Sequence, residues 1–168
     1  MRIRIATVQD VPLLASLARQ VWTEHYTPLL GDAQVKYMLH TFQSAGSIQN
    51  AIVKEGMVYY LLCRADGEPV GYCAWKTEDS SLFLSKLYIL KPYRGKGFAR
   101  VVLQRLEAIG GENRADRIVL TVNRYNTASI AVYKALDFSI LREQVTDIGD
   151  GFVMDDFVLE KKLLCAQV

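Results

Sequence analysis

The run Lys91-Pro92-Tyr93-Arg94-Gly95-Lys96-Gly97-Phe98-Ala99 joins a strand-like apolar segment to a helix-like one. Backbone N–H groups at the start of a helix have no intrahelical partner, and the helix dipole favours negative charge there. Gly95 and Gly97 let the main chain approach a ligand closely, and Arg94 and Lys96 bring positive charge to the same place. The chemistry this implies is capture of a phosphate or pyrophosphate. Two well-known phosphate motifs do not fit. No G-x-x-x-x-G-K-[ST] string occurs, and the third glycine of a G-x-G-x-x-G fingerprint is replaced by Arg100. A bare G-x-G can also be only a tight turn, so its surroundings decide.

Other reactive side chains are scattered. His25 and His40 are the only histidines and lie in no cysteine or acidic cluster, so no metal site is expected. Cys63, Cys73 and Cys165 form no C-x-x-C pair and are read as reduced thiols, not a disulfide framework. Asp147, Asp150, Asp155 and Asp156 occur in a stretch without Lys or Arg, which would suit a cationic ligand or simply a solvated turn.

The elements that position these residues follow from periodicity. Arg2 to Ala6 alternates as a short strand, and Thr7 to Asp10 resembles a capping box with Asp in place of Glu. Val11, Leu14, Ala18, Val21 and Trp22 mark a helix expected to end before Pro28. Helices are expected over 32–42 and 47–54. Strands are expected over 57–65 and 69–76, joined by an Asp66-Gly67-Glu68 turn, and over 82–90. A helix carrying Phe98, Val102, Leu106 and Ile109 is expected to stop at Gly110-Gly111. A strand over 116–123, a helix over 126–136 and strands over 138–146 and 152–161 complete the chain. The strand–helix–strand unit 82–123 predicts one parallel pair within an otherwise antiparallel sheet, a mixed α/β architecture.

The chain has 168 residues, 51% hydrophobic and 23% charged, the composition of one ordinary globular domain, taken as 1–168. Twenty Lys and Arg against 18 Asp and Glu leave a net charge of +2, too little to argue for nucleic acid. No run is apolar enough to span a membrane, and the N-terminus has no secretory h-region, so no membrane partner and a cytoplasmic location are expected.

The segment Leu87 to Ala99 resembles motif A of the GCN5-related N-acetyltransferase (GNAT) superfamily, [Q/R]-x-x-G-x-[G/A], through Arg94, Gly97 and Ala99. Leu120-Thr121-Val122-Asn123 followed by Asn126 to Phe138 resembles motif B, through Asn126, Ser129, Tyr133 and Phe138. Asp137 stands where the family has glycine, a position after a helix end that Asp can fill in a left-handed conformation. The segments around Trp22-Thr23-Glu24-His25-Tyr26 and Met154-Asp155-Asp156 are similar to those of PaiA-type spermidine/spermine N-acetyltransferases.

The resemblance implies a GNAT fold: a mostly antiparallel twisted sheet of about seven strands with one central parallel pair and flanking helices. It also implies acetyl-CoA as co-substrate and transfer of the acetyl group to a primary amine in a ternary complex. The cofactor residues it implies are Leu87, Tyr88 and Ile89 along the pantetheine, Arg94, Gly95, Lys96, Gly97, Phe98 and Ala99 at the pyrophosphate, and Asn126 and Tyr133. An N–H near Leu87 would donate to the thioester oxygen, and the Tyr133 hydroxyl would serve the leaving thiol. Trp22, His25, Tyr26, Asp155 and Asp156 are the implied acceptor residues. The strand 82–87 lacks the carboxylate that many relatives use as general base. Glu24, Glu78, Asp79, Asp155, Asp156 and an ordered water remain as candidates. The acceptor is expected to be a small amine, such as a polyamine, with a protein N-terminus or lysine as alternative. A non-catalytic acyl-CoA sensor is the competing class. A homodimer is compatible with such a chain.

Overall fold

The computed structural model describes residues 2–163. Strand β1 (Arg2–Ile5) leads into a tight turn in which the Thr7 N–H donates to the Asp10 carboxylate at 2.9 Å, the acidic half of the expected box. Arg4 clamps the same carboxylate through two N–H donors at 2.6 and 2.9 Å. Helix α1 (Val11–His25) follows, with Pro12 in its first turn, where a missing N–H costs least. The helix ends at His25, before Pro28 as expected, and Pro28 lies in the first turn of the short helix α2 (Thr27–Leu30). Gly31, at φ +84°, turns the chain into α3 (Asp32–Phe42). Ser44 caps α4 (Ala45–Val53), its hydroxyl accepting from the Ser47 N–H at 3.2 Å.

Strands β2 (Val58–Cys63), β3 (Pro69–Glu78) and β4 (Ser81–Ile89) then follow one another. Helix α5 (Phe98–Glu112), β5 (Arg117–Asn123), α6 (Thr127–Lys134), β6 (Ser139–Gly149) and β7 (Phe152–Lys162) complete the fold. The seven strands form one sheet in the order β1-β2-β3-β4-β5-β7-β6. The β1–β2, β2–β3, β5–β7 and β6–β7 pairs are antiparallel, and β4–β5 is parallel. This is the mixed α/β architecture expected.

One expectation is corrected. Gly110 and Gly111 lie inside α5 and do not terminate it. A Cβ at Gly110 would collide with the Leu163 side chain and lie 3.6 Å from Leu82, so this glycine admits close packing. The chain leaves the helix one turn later, where Arg114 takes φ +55°.

The chain divides into two compact units. One comprises Met1–Lys76 with Lys86–Val102, the other Thr77–Ser85 with Leu103–Val168. In the first, α1 packs on α3 and α4. Its core is Leu14, Leu17, Val21 and Trp22 with Val35, Met38 and Ile48. Cys63 and Cys73 are buried free thiols, and burial pushes the Cys73 thiol up to about 12, so neither is a ready nucleophile. Cys165 lies outside the described residues. In the second unit, Leu103 and Leu106 are buried with Ile118, Leu120 and Leu159.

Candidate active site

In the first unit, the glycine turn leaves β4 through a 3-10 turn, Lys91–Tyr93. Arg94 is extended, Gly95 and Gly97 take φ +72° and +82°, and α5 begins at Phe98. Side chains rarely adopt such φ values, which accounts for both glycines. A Cβ at either would meet nothing within 4 Å, so the space beside the turn is open. The Arg94 guanidinium fixes the turn to the preceding strand, its Nε–H donating to the Ile89 carbonyl at 2.8 Å. Arg94 Nη1 and His25 Nδ1 are in hydrogen-bond contact at 3.3 Å. The Lys96 ammonium sits 5.1 Å from the Tyr93 ring centroid.

The strand before this turn is seated by a glycine that carried no motif. A Cβ on Gly71 of β3 would strike the Tyr88 carbonyl oxygen and lie 3.0 Å from Ile89 Cα. The Leu90 N–H donates to the Val70 carbonyl at 2.9 Å, holding the same crossing. The signal was available: a glycine inside the apolar run of a strand marks close backbone approach. Tyr88 also joins an aromatic cluster. Its ring meets Trp22, Tyr26 and Tyr72 edge-on at 5.9, 6.2 and 5.4 Å, and Trp22 stacks on Tyr26 at 4.4 Å. Trp22 is a buried core residue, whereas His25 and Tyr26 are half-buried.

In the second unit, the parallel register runs from Ser81↔Arg117 to Leu84↔Leu120. Beyond it, β5 ends at Asn123, paired with Asp156 of β7. The Asn123 carbonyl and side-chain oxygen accept from the Asn126 and Tyr125 N–H groups. Asn126 in turn caps α6, its Oδ1 accepting from the Ser129 N–H at 3.2 Å. Asn126 is buried, yet its Nδ2 donor has no hydrogen-bond partner. Two turns along α6, half-buried Tyr133 packs edge-on against Phe138 at 5.5 Å. Asp137 ends this helix at φ +68°, the left-handed conformation anticipated for the family's glycine.

The two aspartates of β7 have different environments. Asp155 is paired with Arg124 at 2.7 Å, and Arg124 also reaches Glu143 at 2.6 Å. The partner that the sequence stretch 147–156 lacked comes from the end of β5. Asp156 is only 6% exposed, and its Oδ1 has no hydrogen-bond partner. Burial, aided by the neighbouring Asp155 charge, pushes its pKa up to about 6. Sequence reasoning named Asp156 among five carboxylates without a means of choosing; burial and the Asn123 register distinguish it. Among the described residues no group of three His, Cys, Asp or Glu side chains is arranged to hold a metal. No described helix is long and apolar enough to cross a membrane.

Residues 17–138 match the acetyltransferase (GNAT) family model, and the chain belongs to that family of N-acetyltransferases. It is 23% identical over 163 residues to a spermidine N(1)-acetyltransferase of Thermoplasma acidophilum, covering 95% of this chain and 96% of that one. The crystal structure of the PaiA N-acetyltransferase of the same organism, in complex with coenzyme A, is similar at a TM-score of 0.79 and 23% identity, covering 96% of this chain and 99% of the other. An uncharacterized N-acetyltransferase of Mycobacterium bovis is 30% identical over 105 residues, 62% of this chain and 67% of the other.

Proposed function

We propose that this protein transfers the acetyl group of acetyl-CoA to a primary amine of a small molecule. The observation that carries this reading is the Gly95–Gly97 turn. Its two positive-φ glycines open onto free space at the start of a helix, beside Arg94 and Lys96. That is a cradle for a pyrophosphate. In this reading Leu87, Tyr88 and Ile89 line the pantetheine, and Arg94 to Ala99 hold the phosphates. The unsatisfied Asn126 Nδ2–H supplies a further donor.

The chemistry needs a proton removed from the amine and one delivered to the thiol. Asp156, with a pKa near 6, is ionised at neutral pH yet basic enough to accept a proton, so it is assigned as general base. The amine nitrogen attacks the thioester carbonyl, whose oxygen is stabilised by the Leu87 N–H, and the C–S bond breaks. Tyr133 donates its hydroxyl proton to the departing sulfur. Trp22 is buried in the core, His25 and Tyr26 are half-buried, and in this reading the latter two serve the acceptor.

The first prediction concerns the cradle. Gly97→Val forces a β-branched residue to φ +82° and fills the open space beside the turn. Acetyl-CoA affinity, measured calorimetrically on variants whose melting shows them folded, should fall further in Gly97→Val than in Lys96→Met. Full affinity in Gly97→Val would remove the cradle from the account.

The second concerns the acceptor. The relationship to a spermidine acetyltransferase makes polyamines the leading class. Mass-spectrometric product analysis should find spermidine or spermine acetylated faster than single amino acids or a hydrophobic monoamine. Equal rates on all of them would show that the pocket selects an amine without reading the rest of a polyamine.

A further inference from the structure

Arg124 directly follows Asn123↔Asp156, the last ladder pair between β5 and β7. Its backbone N–H donates to the Asp155 carbonyl at 3.0 Å, so the chain stays against β7 beyond the end of the strand. Side chains alternate across a sheet. Asp156 and its ladder partners, Asn123 on β5 and Gln144 on β6, therefore share one face, and Asp155, Phe157 and Glu143 turn to the other.

The Arg124 guanidinium gathers the groups of that reverse face. Its Nε lies 2.7 Å from Asp155 Oδ1, its Nη2 donates to Glu143 Oε2 at 2.6 Å, and its central carbon lies 5.2 Å from the Phe157 ring centroid. The Asp155 contact is an ion pair by proximity, without the alignment of a hydrogen bond. Exposed ion pairs usually contribute little, but both paired atoms here are shut off from water, where screening is weaker.

The strength of this pair bears on Asp156. After burial, the Asp155 charge is what raises the Asp156 pKa. The ladder partners Asn123 and Gln144 carry no charge, and exposed Arg142 is tied to the Gln144 side-chain oxygen at 2.6 Å. A cation held on Asp155 weakens the repulsion between the two aspartates.

We propose that Arg124 is a positioning residue of the acetyl-transfer site: from the reverse face of the sheet it pins the Asp155 carboxylate and offsets a charge that would otherwise oppose ionisation of Asp156. The catalytic consequence rests on the reading of Asp156 as general base; the effect on the Asp156 carboxyl does not.

The test is a carbon-13 NMR titration of the Asp156 carboxyl in the full chain, alongside the pH profile of kcat/KM. In Arg124→Gln the carboxyl should titrate about half a pH unit or more above the parent, a threefold or greater gain in proton affinity, and the acid limb of kcat/KM should move up with it. Arg124→Lys, which keeps a cation beside Asp155, should stay near the parent. Adding Asp155→Asn to Arg124→Gln should return the titration to the parent's position or below it, a recovery that a merely structural role would not give. Should Arg124→Gln not fold, Arg124→Met, which keeps an apolar stem on Phe157, takes its place. A titration unmoved or lowered in the folded variants, or not recovered by Asp155→Asn, would overturn the proposal. A carboxyl that moves as expected while the acid limb of kcat/KM stays in place would instead contradict Asp156 as the base and leave the role of the Arg124 ion pair standing.

Discussion

Replacing Asp156 with asparagine is expected to slow acetyl transfer by about 10²–10⁴-fold while making the fold more stable at neutral pH. The two effects have one origin. Asp156 is buried beside Asp155, and its pKa is raised to about 6 from the ordinary carboxylate value of 3.8. Between those values the folded protein holds a proton that the unfolded chain releases, so stability falls as pH rises through this window and stays reduced above it. The shift corresponds to a penalty on the order of 3 kcal/mol at neutral pH, which asparagine removes. The strand ladder is untouched, because Asp156 pairs with Asn123 and Gln144 through backbone register. Parent kcat/KM should show an ionisation near pH 6 that the variant lacks. An Asp156→Asn enzyme that is stabilised yet transfers acetyl within about threefold of the parent rate would leave Asp156 a strained structural residue and not the base.

Tyr133→Phe is expected to lower the single-turnover rate by about 100-fold, near the lower end for general acid catalysis. The ring and its edge-on contact with Phe138 remain, so stability should change little. The lost O–H serves a thiolate that forms only as the C–S bond breaks. The defect should therefore appear in kcat, with acetyl-CoA affinity nearly unchanged. Single-turnover measurement avoids masking by slow product release. A folded variant within about threefold of the parent would reduce Tyr133 to a packing residue.

What the sequence revealed, and what it concealed, divides by distance along the chain. Local chemistry was legible. The Gly95–Gly97 turn, the Asn126 cap and the left-handed Asp137 each follow from residue type and position against a neighbouring helix. Long-range pairing was not. Asp155 looked like a free carboxylate because its partner, Arg124, lies on another element. Asp156 could not be told from Asp155 until the register against Asn123 and its burial were known. Gly110 read as a helix stop because nothing local reports that Leu163 and Leu82 press against it.

Amine-dependent release of free thiol from acetyl-CoA tests the central claim most directly. Purified protein, acetyl-CoA and a panel of polyamines, amino acids, aminoglycosides and peptides should yield thiol only when protein and a suitable small amine are both present. The acetylated nitrogen should be recovered in matching amount. Saturable acetyl-CoA binding with no thiol release above background for any amine would contradict the account and make the protein an acyl-CoA-binding module.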